Sequence, residues 1–592
     1  MEDTGSKSGA ADRGIESPNS PENGVKDAEQ SPPGQETQYP TGFGVVATMI
    51  ALTLTSYLVL LDASIVSTAI PRITSDFHSL NDVGWYGTAY LLTNCSLQPL
   101  TGKLYTYFNI KWVYLACLSI FELGSALCGA AQDSNMLIVG RAVAGIGASG
   151  LFNGGFTFLA ACVPPQRRPA LGGLLIGLSQ LGLLSGPLIG GALTEHASWR
   201  WCFYINLPCA AVIAPALFLV STPDQRSPAI KSRTFRETLP HLDLLGFAIF
   251  AGAASQLLLA LNWGGTTYPW DSSTIIGLFC GSGVTFILFL FYESHMGDRA
   301  MIPFSLIGRT VIWSSCLNMG FLMACSMVTT YYLPIYFQAV RGASPTVSGV
   351  DLLPSIGGTI VFGVIAGGLV TRVGHYTPFA LVGATIATTG AGLLILLTPT
   401  TPTYAWVLIQ LTLGIGRGLN VQMPLLAAQH NAPRELHSIA TALVVLAQNF
   451  GPAVFLSLAQ VVFSSGLESE LRAHAPGVDP ELVVRAGAAG LRDLGFQGEV
   501  LAGVLDGYCE AVVRVMYLGM AASAASLVVV LGMGWGSIKV STVGAGAGAG
   551  AEWEGQAERG EMGKETDGQR AEKGTEREVG MSQGSVDQEK VE

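Results

Sequence analysis

The sequence predicts an all-α polytopic membrane protein, and three observations support this. Of the 592 residues, 49% are hydrophobic and 12% are charged, which is too apolar for a soluble protein of this length. The apolar residues form runs of about 20, the length that one helix needs to cross a bilayer core. Short motifs within these runs recur at a nearly constant offset, which indicates two copies of one helical unit.

The formal net charge of −11 arises in two polar tails. Residues 1–40 hold eight acidic and three basic residues, and residues 541–592 hold twelve acidic and six basic residues. The body between them is therefore neutral, which argues against a nucleic-acid partner. Because both tails are polar and rich in Gly, Ser, Glu and Lys, we expect them to be disordered. Residues 1–40 lack an apolar core, so we expect no cleavable signal peptide and a cytoplasmic N-terminus.

Fourteen membrane spans are predicted from the apolar runs. They lie near 43–65, 83–102, 112–131, 136–160, 170–193, 202–221, 243–262, 274–293, 312–335, 347–370, 377–398, 404–425, 438–464 and 513–536. An even number places both tails on one side. The short loops on that side hold twelve Lys and Arg residues against three on the other, so this side is predicted to be cytoplasmic. Residues 466–510 then form the one long external loop, which could hold a short amphipathic helix on the bilayer surface.

An internal repeat divides the chain. Three motif pairs lie in equivalent spans at offsets of 265, 265 and 269 residues: Gly186-Pro187 with Gly451-Pro452, Gly102 with Gly367, and Gly145-Ile-Gly147 with Gly414-Ile-Gly416. We therefore predict a six-helix bundle at 41–222, a two-helix insert with flanking loops at 223–310, and a second six-helix bundle at 311–540. Paired six-helix halves are typical of secondary transporters, whose substrate site lies near the membrane midplane between the halves.

Among the charged residues inside predicted spans, four stand out as candidates: Asp62, Glu122, Arg141 and Arg417. A charge at the centre of a membrane helix costs roughly 2.5 to 3.5 kcal/mol on insertion scales, so it usually faces a partner or a cavity. A buried carboxylate can bind a proton reversibly, which makes Asp62 and Glu122 candidate proton carriers. Arg141 keeps its charge and would tune a nearby acid or bind backbone carbonyls. The structural alternatives are an Asp62 that meets water at a helix end, a hydrogen-bonded Glu122, and an Arg141 that reaches the membrane face.

Polar and aromatic side chains in the spans are candidates for lining a cavity. Arg417 lies in the run 414–424, and Asn420 and Gln422 follow it. Alignment of the two repeats places Gln410 rather than Arg417 opposite Arg141, which indicates that the halves differ in function. The other candidates share these chemical types and are Trp85, Tyr86, Tyr90, Gln180, Tyr331, Tyr332, Gln338, Asn449 and Phe450. Packing between helices is the alternative for each of them.

The fifth span carries a glycine pattern. Gly182, Gly186 and Gly190 are four residues apart, so they share one helix face on which another helix can approach closely. Pro187 is expected to kink this helix, and Gly191 completes the pattern. This glycine face indicates one of two structures: a general contact between packed helices, or a tight interface between the two halves that limits proton leak.

The sequence contains no recognisable catalytic or cofactor motif. Residues 145–150 satisfy G-x-G-x-x-G, but they lie inside a membrane helix with no strand before them, which argues against a dinucleotide site. There is no phosphate-binding loop, no H-E-x-x-H or G-x-S-x-G motif and no C-x-x-C pair. We therefore expect no enzyme activity, no cofactor and no metal site.

Four segments together resemble the major facilitator superfamily, and in particular its fourteen-span drug:proton antiporter branch of fungi and bacteria, over about residues 43–536. They are similar to that branch's motifs of spans 1, 4, 5 and 6, and they lie at 62–71, 137–150, 182–191 and 199–208. The resemblance implies that the span 4 motif with Arg141 takes part in proton transfer and that the span 5 motif is linked to export. One loop departs from the family pattern, because residues 102–111 lack the Asp and Arg that would latch the halves together.

The residues and the resemblance predict a proton-coupled efflux transporter, an antiporter that exports hydrophobic small molecules such as toxic secondary metabolites or drugs. Its partners would be this cargo, protons and the lipid bilayer. We expect a monomer in the plasma membrane, with the vacuolar membrane as the alternative. Two other functions stay open: a proton-coupled importer of a siderophore or nutrient, and a membrane sensor whose tails recruit partners.

Overall fold

A computed structural model describes residues 43–78, 82–164, 167–220, 222–224, 226, 228–265, 267–480, 482–483 and 491–536, and these are predominantly helical. The tails predicted to be disordered, 1–40 and 541–592, lie outside the described residues. The helices of nine or more residues are α1 (Phe43–Phe77), α2 (Val83–Tyr107), α3 (Ile110–Gly129), α4 (Ser134–Cys162), α5 (Arg168–His196), α6 (Asn206–Leu219), α7 (Leu244–Trp263), α8 (Ser273–Met296), α9 (Thr310–Ile335), α10 (Leu353–Val373), α11 (Thr377–Leu393), α12 (Thr403–Asn420), α13 (Met423–Asn431), α14 (His437–His474) and α15 (Gly498–Val530).

Twelve of the described helices are long and apolar enough to cross a membrane, so the chain is a multi-pass membrane protein. Helices also form at the two other predicted spans, as α2 and as the pair α12 and α13. These helices carry buried polar side chains, such as Ser96 and Gln98 in α2 and Gln410 and Asn420 in α12. Such side chains lower the hydropathy of a helix although they face the interior of the bundle.

Two helices extend into the segment predicted as a long external loop. α14 continues to His474 and α15 begins at Gly498, so much of 466–510 is helical. Glu470 of α14 accepts a hydrogen bond from Arg514 of α15, and its Oε2 lies 3.3 Å from Nδ1 of His474. The apolar run that predicts a span ends at the first polar residues. The helix itself can continue beyond that point, because its polar side chains have partners on the same or the neighbouring helix.

The two halves, α1–α6 and α9–α15, repeat the same helix contacts. In the first half α5 packs along α1 and α4 packs against α2 and α3, and in the second α14 packs along α9 and α12 packs against α10 and α11. The repeat extends to single hydrogen bonds. Arg141 Nε donates to the carbonyl of Tyr86 at 2.9 Å, and Gln410 Nε2 donates to the carbonyl of Asp351 at 2.8 Å. The alignment that places Gln410 opposite Arg141 therefore agrees with the structure.

The two-helix insert, α7 and α8, packs on the outside of α2. Trp263 of α7 contacts Trp85 of α2 with ring centroids 5.4 Å apart, and Ser255 Oγ lies 3.4 Å from Ser96 Oγ. The outer face of α8 carries apolar side chains, among them Ile287, which is 66% exposed. Exposed apolar residues along a membrane helix are those that contact lipid, so the insert lies at the periphery.

The two halves meet along two helix pairs, α5 with α10 and α2 with α14. Glycines allow close approach there: a Cβ on Gly367 of α10 would lie 2.5 Å from the carbonyl oxygen of Pro169, and a Cβ on Gly102 of α2 would lie 2.8 Å from the Cβ of Ala442. These contacts lie where α2 and α10 end and where α5 and α14 begin. The halves are therefore tightly packed on the side that the sequence predicts to be cytoplasmic.

Candidate functional site

A buried ion pair joins α1 to α4. Arg141 Nη1 donates to Asp62 Oδ2 at 2.5 Å, and each residue is only 1% exposed. Two charges this deep lose their hydration, so the pair depends on good geometry and on further hydrogen bonds. The sequence predicted a proton-carrying acid and a tuning cation at these positions, and the structure places them in direct contact.

Arg141 has further partners besides the carboxylate. Its Nε donates to the carbonyl of Tyr86 at 2.9 Å, and its Cζ lies 4.4 Å from the ring centroid of Tyr90 and 5.9 Å from that of Phe203. The face of an aromatic ring attracts a cation. The guanidinium therefore keeps partners whether Asp62 is ionised or protonated.

Asn206 of α6 is a site residue that the sequence analysis did not single out. Its Nδ2 donates to Asp62 Oδ1 at 3.3 Å and to Ser125 Oγ of α3 at 3.0 Å. Asn206 lies inside the segment 199–208, whose resemblance to the family's span 6 motif is the signal that could have identified it. Through this amide, α6 connects the carboxylate of α1 to α3.

Glu122 lies one helical turn before Ser125 on α3. Both of its carboxylate oxygens are buried, and neither accepts a hydrogen bond from a residue that the structure describes. An ionised carboxylate is costly to bury without donors. The described surroundings therefore give Glu122 no hydrogen-bonded structural role.

A cleft lies between the two halves. Its lining comes from α5 in the first half and from α9, α10 and α12 in the second, and consists of Gln180, Leu183, Thr330, Ile356, Thr359 and Arg417. Arg417 is 7% exposed and donates to Ser355 Oγ at 3.3 Å and to the hydroxyl of Ser326. It lies near the end of α12, three residues before Asn420.

Gln180 and Arg417 are the predicted lining residues that line this cleft. Several other candidates contact side chains or carbonyls of neighbouring helices, and these pairs are Trp85 with Trp263, Tyr86 with Ser134, Tyr90 with Val59, Tyr332 with Gln460, Gln338 with Ser348 and Asn420 with Asn318. The aromatic and amide groups that the sequence offered for a cavity are thus largely used in packing between helices.

The remaining lining candidates lie elsewhere. Phe450 packs against the apolar cluster of the insert, Asn449 is half-buried, and Tyr331 is 57% exposed. Gln422 lines a second space together with Arg168 at the start of α5. This second space lies nearer to the tightly packed end of the halves than the cleft does.

The glycine face of α5 packs against α1 of the same half. A Cβ on Gly182 would lie 2.3 Å from the carbonyl oxygen of Tyr57, and a Cβ on Gly190 would lie 2.8 Å from the side chain of Ile65. Gly186 lies between them and contacts α1 as well. The expected interface between the halves is therefore not at these glycines, and the pattern serves as a packing seam within one half.

The structure also shows the surroundings of Pro187 and Gly191, the other two residues of the glycine pattern. α5 is a single helix from Arg168 to His196 that runs through Pro187, and a Cβ on Gly191 would meet open space. The contact of α5 with the other half lies near its beginning instead, where a Cβ on Gly173 would lie 2.6 Å from the carbonyl oxygen of Gly363 in α10. The helix thus uses one set of small residues for each of its two neighbours.

Lys103 is buried near the end of α2, in the motif that lacks the family's Asp and Arg. Its Nζ donates to the carbonyl oxygens of His241 at 3.1 Å and Arg299 at 3.0 Å, which lie just before α7 and just after α8. Lys103 follows the span predicted at 83–102, but the structure places it inside α2, which continues to Tyr107. Its two hydrogen bonds connect both ends of the insert to α2.

Comparison with known proteins identifies the family. Residues 52–456 match the family model described as Major Facilitator Superfamily. The chain is 50% identical to the MFS-type transporter pigP of Monascus ruber, over 85% of this chain and 88% of that protein. It is 48% identical to the efflux pump mokI of Monascus pilosus, over 83% of this chain and 92% of that protein, and 48% identical to the efflux pump mlcE of Penicillium citrinum, over 83% and 90%.

The fold also matches solved structures. A double-Trp variant of the symporter XylE covers 84% of this chain and 97% of its own, with a TM-score of 0.52 at 15% sequence identity, which speaks for the fold alone. Because the family model matches more than half of the sequence and the relatives align over most of both chains, this protein belongs to the major facilitator superfamily of membrane transporters.

Proposed function

We propose that this transporter is a proton-coupled antiporter that exports hydrophobic small molecules, such as toxic secondary metabolites or drugs. Two similar proteins are named efflux pumps, which supports export as the direction of transport. The superfamily consists of transporters, so the charged residues of the spans serve ion and cargo binding rather than catalysis.

The observation that carries the proposal is the buried pair of Asp62 and Arg141, with 2.5 Å between Oδ2 and Nη1. Protonation of Asp62 removes the negative charge from this contact and weakens the connection between α1 and α4. Arg141 then keeps the carbonyl of Tyr86 and the ring of Tyr90 as partners. Proton binding thus changes the packing of the first half while Arg141 keeps these two neutral partners, and Glu122 offers a second carboxyl group.

Alternating access follows from how the halves meet. They pack through small residues on the predicted cytoplasmic side, at Gly367 with Pro169 and at Gly102 with Ala442, so rocking one half against the other would separate these contacts. Cargo in the cleft touches α5 of one half and α9, α10 and α12 of the other. Proton and cargo exchange with each other only if each biases the same equilibrium between two states.

The topology is part of the same proposal. Fourteen spans result if α2 and the pair α12 and α13 cross the membrane together with the twelve apolar helices. Both tails then lie in the cytoplasm. We place the transporter in the plasma membrane, where an inward proton gradient is available, and treat it as a monomer because each chain contains both halves and the cleft between them.

Flux through proteoliposomes tests the proposal. Purified full-length protein is reconstituted, a pH gradient is imposed, and movement of a fluorescent lipophilic dye is followed. We expect movement of the dye towards the acidic side against its concentration gradient, and we expect collapse of the gradient by a protonophore to stop it.

Two outcomes would contradict the proposal. Dye movement that ignores the pH gradient would exclude proton coupling, and accumulation of the dye on the side that the protons enter would indicate a symporter. The matched control is Glu510→Gln, which removes an exposed carboxylate of α15 and is expected to leave the flux unchanged, whereas Asp62→Asn is expected to abolish it.

A further inference from the structure

Arg417 is a buried arginine that lacks an acidic partner in the described part of the chain. Arg141 is paired with Asp62, whereas Arg417 forms no ion pair with any Asp or Glu that the structure describes and donates to the hydroxyls of Ser355 and Ser326. Guanidinium stays protonated in proteins, and a buried charge is unfavourable unless another charge compensates it. Arg417 therefore holds a positive charge that the described residues do not neutralise.

This charge faces the cleft between the halves. The groups around it are of two kinds, hydrogen-bonding side chains and apolar ones, and they are Gln180, Thr330, Thr359, Leu183 and Ile356. The cleft thus combines one cation, several neutral hydrogen-bonding groups and apolar walls.

We infer that Arg417 is a specificity-determining residue that selects cargo with a carboxylate on an otherwise apolar body. A guanidinium binds a carboxylate through two parallel charge-assisted hydrogen bonds, which a neutral ester does not reproduce. The carboxylate of the cargo supplies the negative charge that the described residues lack, while Leu183 and Ile356 contact its apolar part. The inference rests on the proposed function and deepens it by naming the chemical class of the cargo.

Two properties of the site fit such cargo. Arg417 belongs to the second half and Gln180 to the first, so a molecule bound by both connects the halves and can bias their equilibrium. An inside-negative membrane potential also drives an anion outward. A carboxylate cargo therefore gains from export in a way that its neutral ester does not.

Equilibrium binding of an acid and its ester tests the inference. Pyrenebutyrate and its methyl ester are titrated, by fluorescence, onto the purified full-length protein in detergent. We expect the wild-type protein to bind the acid about tenfold or more tightly than the ester. Arg417→Gln is expected to weaken binding of the acid about 30-fold and to leave binding of the ester unchanged, which also shows that the cleft is still folded. Arg417→Lys should restore part of the affinity, because it keeps the charge but not the planar fork.

The control is Arg72→Gln, which removes an exposed arginine of α1 and should change neither affinity. The inference is overturned if the wild-type protein shows no saturable binding of the acid, if acid and ester bind equally well, or if Arg417→Gln keeps the preference for the acid. The measurement needs no proton gradient. A preference for the acid that depends on Arg417, in a protein whose flux ignores the pH gradient, would therefore sustain this inference while the proposed proton coupling fails.

Discussion

Arg141 and Asp62 form a buried ion pair with 2.5 Å between Nη1 and Oδ2, and its counterpart in the second half carries no charge. At the position equivalent to Arg141, Gln410 donates to a backbone carbonyl. The second half has its cation seven residues later, at Arg417 in the cleft. The two halves thus share the same helix contacts but differ in their buried charges. The first half has an ion pair inside its bundle, and the second half has a cation at the cleft between the halves.

The first prediction concerns the ion pair itself. Asp62→Asn leaves the charge of Arg141 buried without a carboxylate, which typically costs about 3 to 5 kcal/mol. We expect a lower thermal unfolding temperature in detergent and loss of proton-driven flux.

The double variant Asp62→Asn with Arg141→Gln removes both charges and provides the comparison. It should be clearly more stable than the single variant, because no uncompensated charge is left, yet it should still lack flux. Equal stability of the two variants would show that the pair does not interact as the structure indicates.

Glu122 gives a second, opposite prediction about stability. Its carboxylate oxygens accept no hydrogen bond from described residues, so Glu122→Gln removes no interaction of an ionised carboxylate. We expect unfolding to be unchanged or shifted to higher temperature, and the number of protons moved per dye molecule to fall.

Proton release on dye binding, measured with a pH indicator in detergent, checks this. Glu510→Gln on the exposed face of α15 is the matched control. Identical proton release by the wild-type protein and Glu122→Gln would remove Glu122 from the proton path.

The order of the helices could be predicted from the sequence because each apolar run is long enough for one span. The ends of α14 and α15 could not, since pairs such as Glu470 with Arg514 continue a helix after its apolar run has ended. At the site, Asp62 and Arg141 were identifiable because charges are rare inside spans. Asn206 has a neutral amide side chain, and it donates to Asp62 only because α6 is oriented with this residue towards α1. Hydropathy does not fix that orientation, and this also explains why most aromatic lining candidates lie in packing contacts.

A third prediction compares two glycines of α5. A Cβ on Gly182 would lie 2.3 Å from the carbonyl oxygen of Tyr57, whereas a Cβ on Gly191 would have no neighbour within 4 Å. We expect Gly182→Ala to destabilise the protein by about 1 to 3 kcal/mol through overpacking of α5 against α1.

Gly191→Ala should be neutral or stabilising by up to about 1 kcal/mol, because alanine favours a helix more than glycine does. Thermal unfolding of both variants in detergent checks the pair. The packing seam would be contradicted if both substitutions had the same effect.

Lys103 leads to a fourth prediction, about the attachment of the insert. Lys103→Met removes both hydrogen bonds to the carbonyls of His241 and Arg299, and bonds from a charged donor contribute about 1.5 to 3 kcal/mol each. We expect faster hydrogen exchange in residues 239–243 and a lower unfolding temperature.

Lys231→Met serves as the control, because Lys231 is exposed and donates to a carbonyl in its own loop. Unchanged exchange at 239–243 in Lys103→Met would show that the insert is held by its other contacts and not by the hydrogen bonds of Lys103.

The last prediction tests the contact between the halves at Gly367. A Cβ there would lie 2.5 Å from the carbonyl oxygen of Pro169 and 2.6 Å from Ala170, whereas a Cβ on the neighbouring Gly368 would meet open space. Gly367→Ala should therefore separate the ends of α5 and α10 and shift the protein towards a state that is open on this side. Spin labels on Arg167→Cys and Arg372→Cys, at the exposed ends of these helices in a background without other cysteines, report the separation. We expect longer distances in Gly367→Ala and wild-type distances in Gly368→Ala. Wild-type distances in both variants would mean that this contact does not control closure, because the bulkier residue would then be accommodated without moving the halves apart.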